Sequence, residues 1–170
     1  MPKLPAIKLA KGCYAYMFSH CHGDDNYCIN LKEIEDLPAT ELAENCYFGM
    51  FKGCRSLTKA PKLPATTLAS CCYNGMFYKC TNLIEAPELP AIELREACYR
   101  YMFSECRSLT KAPKLPATTL ASRCYDNMFD GCTNLIEAPE LPATTLASHC
   151  YYRMFDGCTN LTVAPKLPAT

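Results

Sequence analysis

The residues best equipped for chemistry lie together near the start of the chain, in the run His20-Cys21-His22-Gly23-Asp24-Asp25-Asn26-Tyr27-Cys28. Imidazole, thiolate and carboxylate donors at this density can bind a transition metal, and His20, Cys21, His22, Asp24 and Cys28 are the candidate ligands. Their spacing matches no common closed site. Two further readings stay open beside the metal. One is a Cys21–Cys28 disulfide; the other, which is preferred, is a capping or contact loop in an atypical first unit. The chain holds only three histidines, and the third, His149, falls among polar residues and is expected in solvent.

Nothing else in the chain reads as a catalyst. Seven glycines are too few for a phosphate-cradling loop, and most close local turns or helices. The acidic residues recur from unit to unit, so no unique carboxylate pair stands out. No catalytic residue, cofactor or enzymatic activity is expected. Net charge is zero, so no overall field recruits nucleic acid or an anionic membrane. Apolar runs are short and predict no membrane insertion. Fourteen cysteines suggest a disulfide scaffold at first sight, but no CxxC pair occurs. Each unit carries two of them eight residues apart, as in Cys124 and Cys132 or Cys150 and Cys158. Recurrence at fixed phase is how core positions behave, so reduced, packed thiols are expected, with disulfides between units as the other reading.

What must position all of these residues is a repeat of 26. Units opening on Leu-Pro-Ala begin at Leu37, Leu63, Leu89, Leu115 and Leu141, with an earlier copy at Leu4. The divisions are 4–36, which holds a seven-residue insert, then 37–62, 63–88, 89–114, 115–140 and 141–166, with a stub at 167–170. A period of this length predicts one continuous domain in which each unit packs on its neighbours. Within the unit from Leu115, a helical wheel places Leu120, Ala121, Cys124, Tyr125, Met128, Phe129 and Cys132 on one half. Ser122, Arg123, Asp126, Asn127 and Asp130 fall on the other. This predicts an amphipathic helix of about three turns, capped by Thr118 or Thr119 and ended at Gly131. The following Thr133–Pro139 stretch predicts a short strand, ended by proline. The expected fold is therefore an α/β solenoid with short parallel strands on one face and helices on the other.

Leu-x-x-Ala-Pro-x-Leu-Pro followed by Met-Phe-x-Gly-Cys-Thr-Asn-Leu resembles the BspA-like leucine-rich repeats of bacterial surface proteins. The resemblance covers essentially the whole chain. It implies a right-handed leucine-rich-repeat array, a role in cell adhesion or protein binding, and a cell-surface or secreted location. A cytoplasmic location is expected instead if Met1 is the native start. The resemblance carries no catalytic residues to map.

Differences among the units show where the fold leaves residues free. One row reads Glu33, Lys59, Glu85, Lys111, Glu137, Val163; a second reads Lys3, Asp36, Lys62, Glu88, Lys114, Glu140, Lys166. Stacked in phase, these rows alternate in sign and oppose register slips. The outer face varies more, and its Phe48, Tyr78, Arg100, Tyr101, Tyr152 and Arg153 are the candidate binding residues, since aromatic and arginine side chains anchor protein interfaces. The function expected is non-enzymatic protein recognition, with adhesion to a host protein as its form. The alternatives are a small intracellular phage or mobile-element protein that inhibits a host protein, and a structural spacer without ligand.

Overall fold

The computed structural model describes residues 3–19 and 30–168. Its backbone keeps the sequence period. The Tyr47 amide donates to Cys72 O, Tyr73 to Cys98 O, Tyr99 to Cys124 O and Tyr125 to Cys150 O, each at 3.0 Å. Every repeat therefore lies on the next, in phase.

The expected helix is absent, and with it the α/β leucine-rich-repeat solenoid. No α-helix occurs among the described residues. Residues 43–54 instead form a ribbon of overlapping turns. The amides of Cys46, Phe48, Met50, Lys52 and Cys54 donate three residues back, to the carbonyls of Ala43, Asn45, Tyr47, Gly49 and Phe51. The amides between them belong to the neighbour. Asn45, Tyr47, Gly49, Phe51 and Gly53 donate to Ser70, Cys72, Asn74, Met76 and Tyr78 of the next repeat. A helix would close all of these on itself. Here alternate amides tie one repeat to the next.

The backbone changes hand at every fourth residue. φ is positive at Asn45, Gly49 and Gly53, and again at Arg123, Asn127 and Gly131. A type II turn needs φ > 0 at its third residue, and these positions supply it in every second turn. Burial follows the same period of four: Cys46 with Tyr47, then Met50 with Phe51, are inside, while Phe48 and Lys52 stand at half-exposed corners. That period of four is what resembled a helical face.

Stacking of identical side chains replaces helix packing. Tyr14, Tyr47, Tyr73, Tyr99, Tyr125 and Tyr151 form one column with ring centroids 5.7–5.9 Å apart. Phe18, Phe51, Phe77, Phe103, Phe129 and Phe155 form a second at 5.5–5.7 Å. The planes are nearly parallel and offset, a favourable ring geometry. Burial of each interior ring stabilises the stack by about 1.5–3 kcal/mol.

The expected sheet shrinks to isolated parallel bridges. Lys59 pairs with Glu85, Thr67 with Glu93, Lys111 with Glu137, Thr119 with Thr145 and Glu137 with Val163. Between the Lys59 and Thr67 bridges lie Pro61 and Pro64, which have no amide to donate, so the ladder cannot propagate. Ala60, Pro61 and Leu63 are all buried while Lys62 is exposed, so strand alternation breaks at Pro61.

The described cysteines form no disulfides with one another. Cys80, Cys106, Cys132 and Cys158 each donate through Sγ to a phenylalanine carbonyl of the preceding repeat at 3.1 Å. Cys46, Cys72, Cys98, Cys124 and Cys150 line the core beside the tyrosines. Burial pushes the thiols of Cys46 and Cys158 up to about 11 and that of Cys124 to about 12.

Candidate functional site

The repeats differ at the turn corners, and the ribbon stacks equivalent corners of successive repeats on one another. At the first corner the residues are Phe48, Asn74, Arg100, Asp126 and Tyr152, each followed by a positive-φ residue: Gly49, Gly75, Tyr101, Asn127 and Arg153. At the next they are Lys52, Tyr78, Ser104, Asp130 and Asp156. The six candidate binding residues all lie at these corners.

The structure brings them together in three groups. The ring of Tyr16 tilts against Phe48 with centroids 5.2 Å apart. Glycine at 49 permits this, since a Cβ there would come within 2.6 Å of the Tyr16 ring. In the middle group, Tyr78 and Tyr101 lie 6.4 Å apart. Lys52 and Lys79 place their ammonium groups 5.3 and 5.1 Å from the Tyr78 ring, and the Arg100 guanidinium sits 4.7 Å from that of Tyr101. In the last group, Tyr152 meets the His149 ring edge-on at 5.5 Å and the Arg153 guanidinium at 5.5 Å. Cations over aromatic faces are attractive at these separations. The edge is thus a series of half-exposed rings, and those of Tyr78, Tyr101 and Tyr152 each hold a cation.

Two of its residues are built into the fold more than the sequence suggested. Asp126, expected on the polar face, is buried, as is Asn127. Arg100 of the preceding repeat places Nε 3.1 Å from Asp126 Oδ2, an ion pair without hydrogen-bond alignment, and Asn127 Nδ2 donates to Oδ1. Arg100 therefore supports a buried carboxylate as well as facing outward. Next along, the carboxyl of Asp130 is raised by burial, with the Ser104 hydroxyl 3.3 Å away countering the shift. Lys79, which the sequence reading passed over, joins the middle group. Its place one residue after Tyr78, at a corner held by glycine in repeats such as Gly53 and Gly131, was the available signal.

The opposite edge carries the charge rows. Lys59 pairs with Glu85 at 3.6 Å and Lys62 with Asp36 at 3.1 Å, all strongly exposed. The amide of Lys62 and then its ammonium hold the Asp36 carboxyl below its usual range. Beside them the prolines leave open hollows of about 440 and 470 Å³ between repeats, one lined by Pro113, Pro116 and Pro139.

The metal-ligand candidates His20, Cys21, His22, Asp24 and Cys28 lie outside the described residues. Among the described residues no group of three or more His, Cys, Asp or Glu could hold a metal ion. No helix among them is long and apolar enough to cross a membrane. Comparisons with protein-family models, with curated proteins and with solved structures return no match.

Proposed function

We propose that the chain is a non-enzymatic protein-recognition module that binds its partner through the turn-corner edge. One observation carries the reading. At the turn corners, residues that vary between repeats assemble half-exposed tyrosines with arginine and lysine over their faces. Tyr and Arg in this arrangement offer large, rigid contact area with little entropy to lose. The constant Leu, Cys, Tyr, Met and Phe positions are committed to the core in the interior repeats. The sequence resemblance to bacterial surface adhesion repeats favours a host protein as the partner.

The experiment is affinity capture with three forms of the chain. Alanine at Tyr78 and Tyr152 together is expected to abolish capture while the thermal melt stays in place. Alanine at Lys59 and Lys111, on the opposite edge, is expected to leave capture intact. The reverse pattern would move the site to the charge rows and proline hollows.

A further inference from the structure

The proline side of the stack carries a groove between two rails of charge. Three hollows of about 470, 460 and 440 Å³ follow one another from Lys59 to Pro142. Each is lined by two neighbouring repeats, and the middle one is bordered by Glu88 and Lys111. Pro61 and Pro87 are buried beneath the groove, while Pro64, Pro90, Pro116 and Pro142 stand exposed along it. Proline has no amide hydrogen, so covering these rings leaves no backbone donor unpaired.

Each repeat places a single sign on both rails. Lys59 and Lys62 are followed by Glu85 and Glu88, then by Lys111 and Lys114, then by Glu137 and Glu140, all of them exposed. Most of these charges are unpaired within the chain. Lys59 reaches Glu85 and Lys62 reaches Asp36. Glu88, Lys111, Lys114, Glu137 and Glu140 enter no ion pair among the described residues.

We propose that this groove is the docking face for a second copy of the chain, packed groove to groove and antiparallel about a two-fold axis through the middle hollow. The order of signs selects this arrangement. In a parallel pair about a two-fold axis each repeat meets its own copy, so Lys59 opposes Lys62 and Glu85 opposes Glu88. In the antiparallel pair Glu85 opposes Lys111 and Lys59 opposes Glu137 on one rail. On the other rail Glu88 opposes Lys114 and Lys62 opposes Glu140. An antiparallel axis through a repeat, instead of between two, would set that repeat's sign against itself. The proline rings contribute the apolar contact. Exposed charge pairs contribute little singly and are screened by salt, so their part is to choose the register. An isologous contact of this kind closes at the dimer. The face lies inside the described stack, between Lys59 and Pro142, and is independent of the turn-corner edge.

Sedimentation equilibrium of the full chain tests it. The wild type is expected to be a dimer at low salt and to dissociate at high salt, with no larger species. Lys111→Glu with Lys114→Glu makes three successive repeats acidic, and Glu85→Lys with Glu88→Lys makes three basic. Each double variant is expected to be a monomer where the wild type is a dimer. All four changes together leave the net charge at zero and order the rails as two basic repeats, then two acidic ones. That order destroys alternation within the chain but restores every opposite pair across the two-fold axis, so the quadruple variant is expected to dimerise again. A role confined to stacking repeats within one chain predicts no such rescue. Carbodiimide crosslinking of wild type mixed with isotope-labelled wild type is expected to join Lys59 of one chain to Glu137 of the other. This readout needs no substitution, so it stands where a variant fails to fold. A monomeric wild type, a double variant that still dimerises, a folded quadruple variant that stays monomeric, or no mixed-label Lys59–Glu137 product would each overturn the proposal. A monomeric wild type that loses partner capture on alanine substitution at Lys59 and Lys111 would give the groove to that partner instead.

Discussion

Cysteine and serine differ by one atom, and in this core the difference depends on which column the residue occupies. Cys132 Sγ already donates to the Phe103 carbonyl at 3.1 Å, so a serine hydroxyl there finds an acceptor in place. Cys124 is fully buried; the backbone of Ala121 and Tyr125 reaches its thiol, but among the described residues no carbonyl accepts from Sγ. Cys124→Ser buries a hydroxyl without a ready acceptor and is expected to cost about 1–3 kcal/mol. Cys132→Ser is expected to cost less, and thermal melts of the two variants side by side test the order. The thiols also set a pH limit. Burial raises Cys46 and Cys158 from 9.0 to about 11. The folded chain therefore keeps protons that the unfolded chain releases. This contribution is fully present below pH 9.0 and is lost as pH rises through about 11. The buried tyrosines act in the same direction; burial takes Tyr151 to about 12. The urea midpoint is expected to be flat from neutral pH to the start of that window and to fall within it.

At the scale of the element, helix and turn ribbon make opposite predictions for one substitution. Arg123 is exposed, with φ at 54°. In the ribbon, Arg123→Gly relieves an unfavourable left-handed conformation and is expected to stabilise by about 1 kcal/mol. In a helix interior the same change would destabilise by about as much. Chemical denaturation of the variant reads the sign directly. The sequence revealed the period and the buried set of Cys, Tyr, Met and Phe. It did not reveal the ribbon, because apolar pairs spaced by four, such as Cys124-Tyr125 and Met128-Phe129, suit both structures. The discriminating signs were local. The segment from Arg123 to Cys132 is rich in Cys, Tyr, Asp, Asn and Gly, all poor helix formers. Gly49 and Gly53, or Asn127 and Gly131, sit four apart where φ must be positive. What outweighs helical hydrogen bonding is non-local: each ring stacks on its own copy in the next repeat, and half of the ribbon's amides bond there too. The burial of Asp126 was hidden for the same reason, since its partner Arg100 lies in another repeat.

For the whole molecule, this division of hydrogen bonds means that no repeat is complete alone. Stability is a sum of terms within repeats and terms between neighbours. The division also writes itself into amide hydrogen exchange. In an interior repeat, consecutive amides are both protected but by different events. Cys124 and Asp126 are released when a turn opens, whereas Tyr125 and Asn127 are released when two repeats part. In the repeat from Leu141 the second protection is missing among the described residues. Cys150, Tyr152, Met154 and Asp156 still close on their own turns, while His149, Tyr151, Arg153, Phe155 and Gly157 do not. Exchange measured residue by residue on the dilute chain is expected to alternate there, slow and fast, with a period of two. A helix frays progressively from its end and has no such parity. The alternation also dates any contact on that face, because whatever covers the last repeat must silence the odd-numbered amides first.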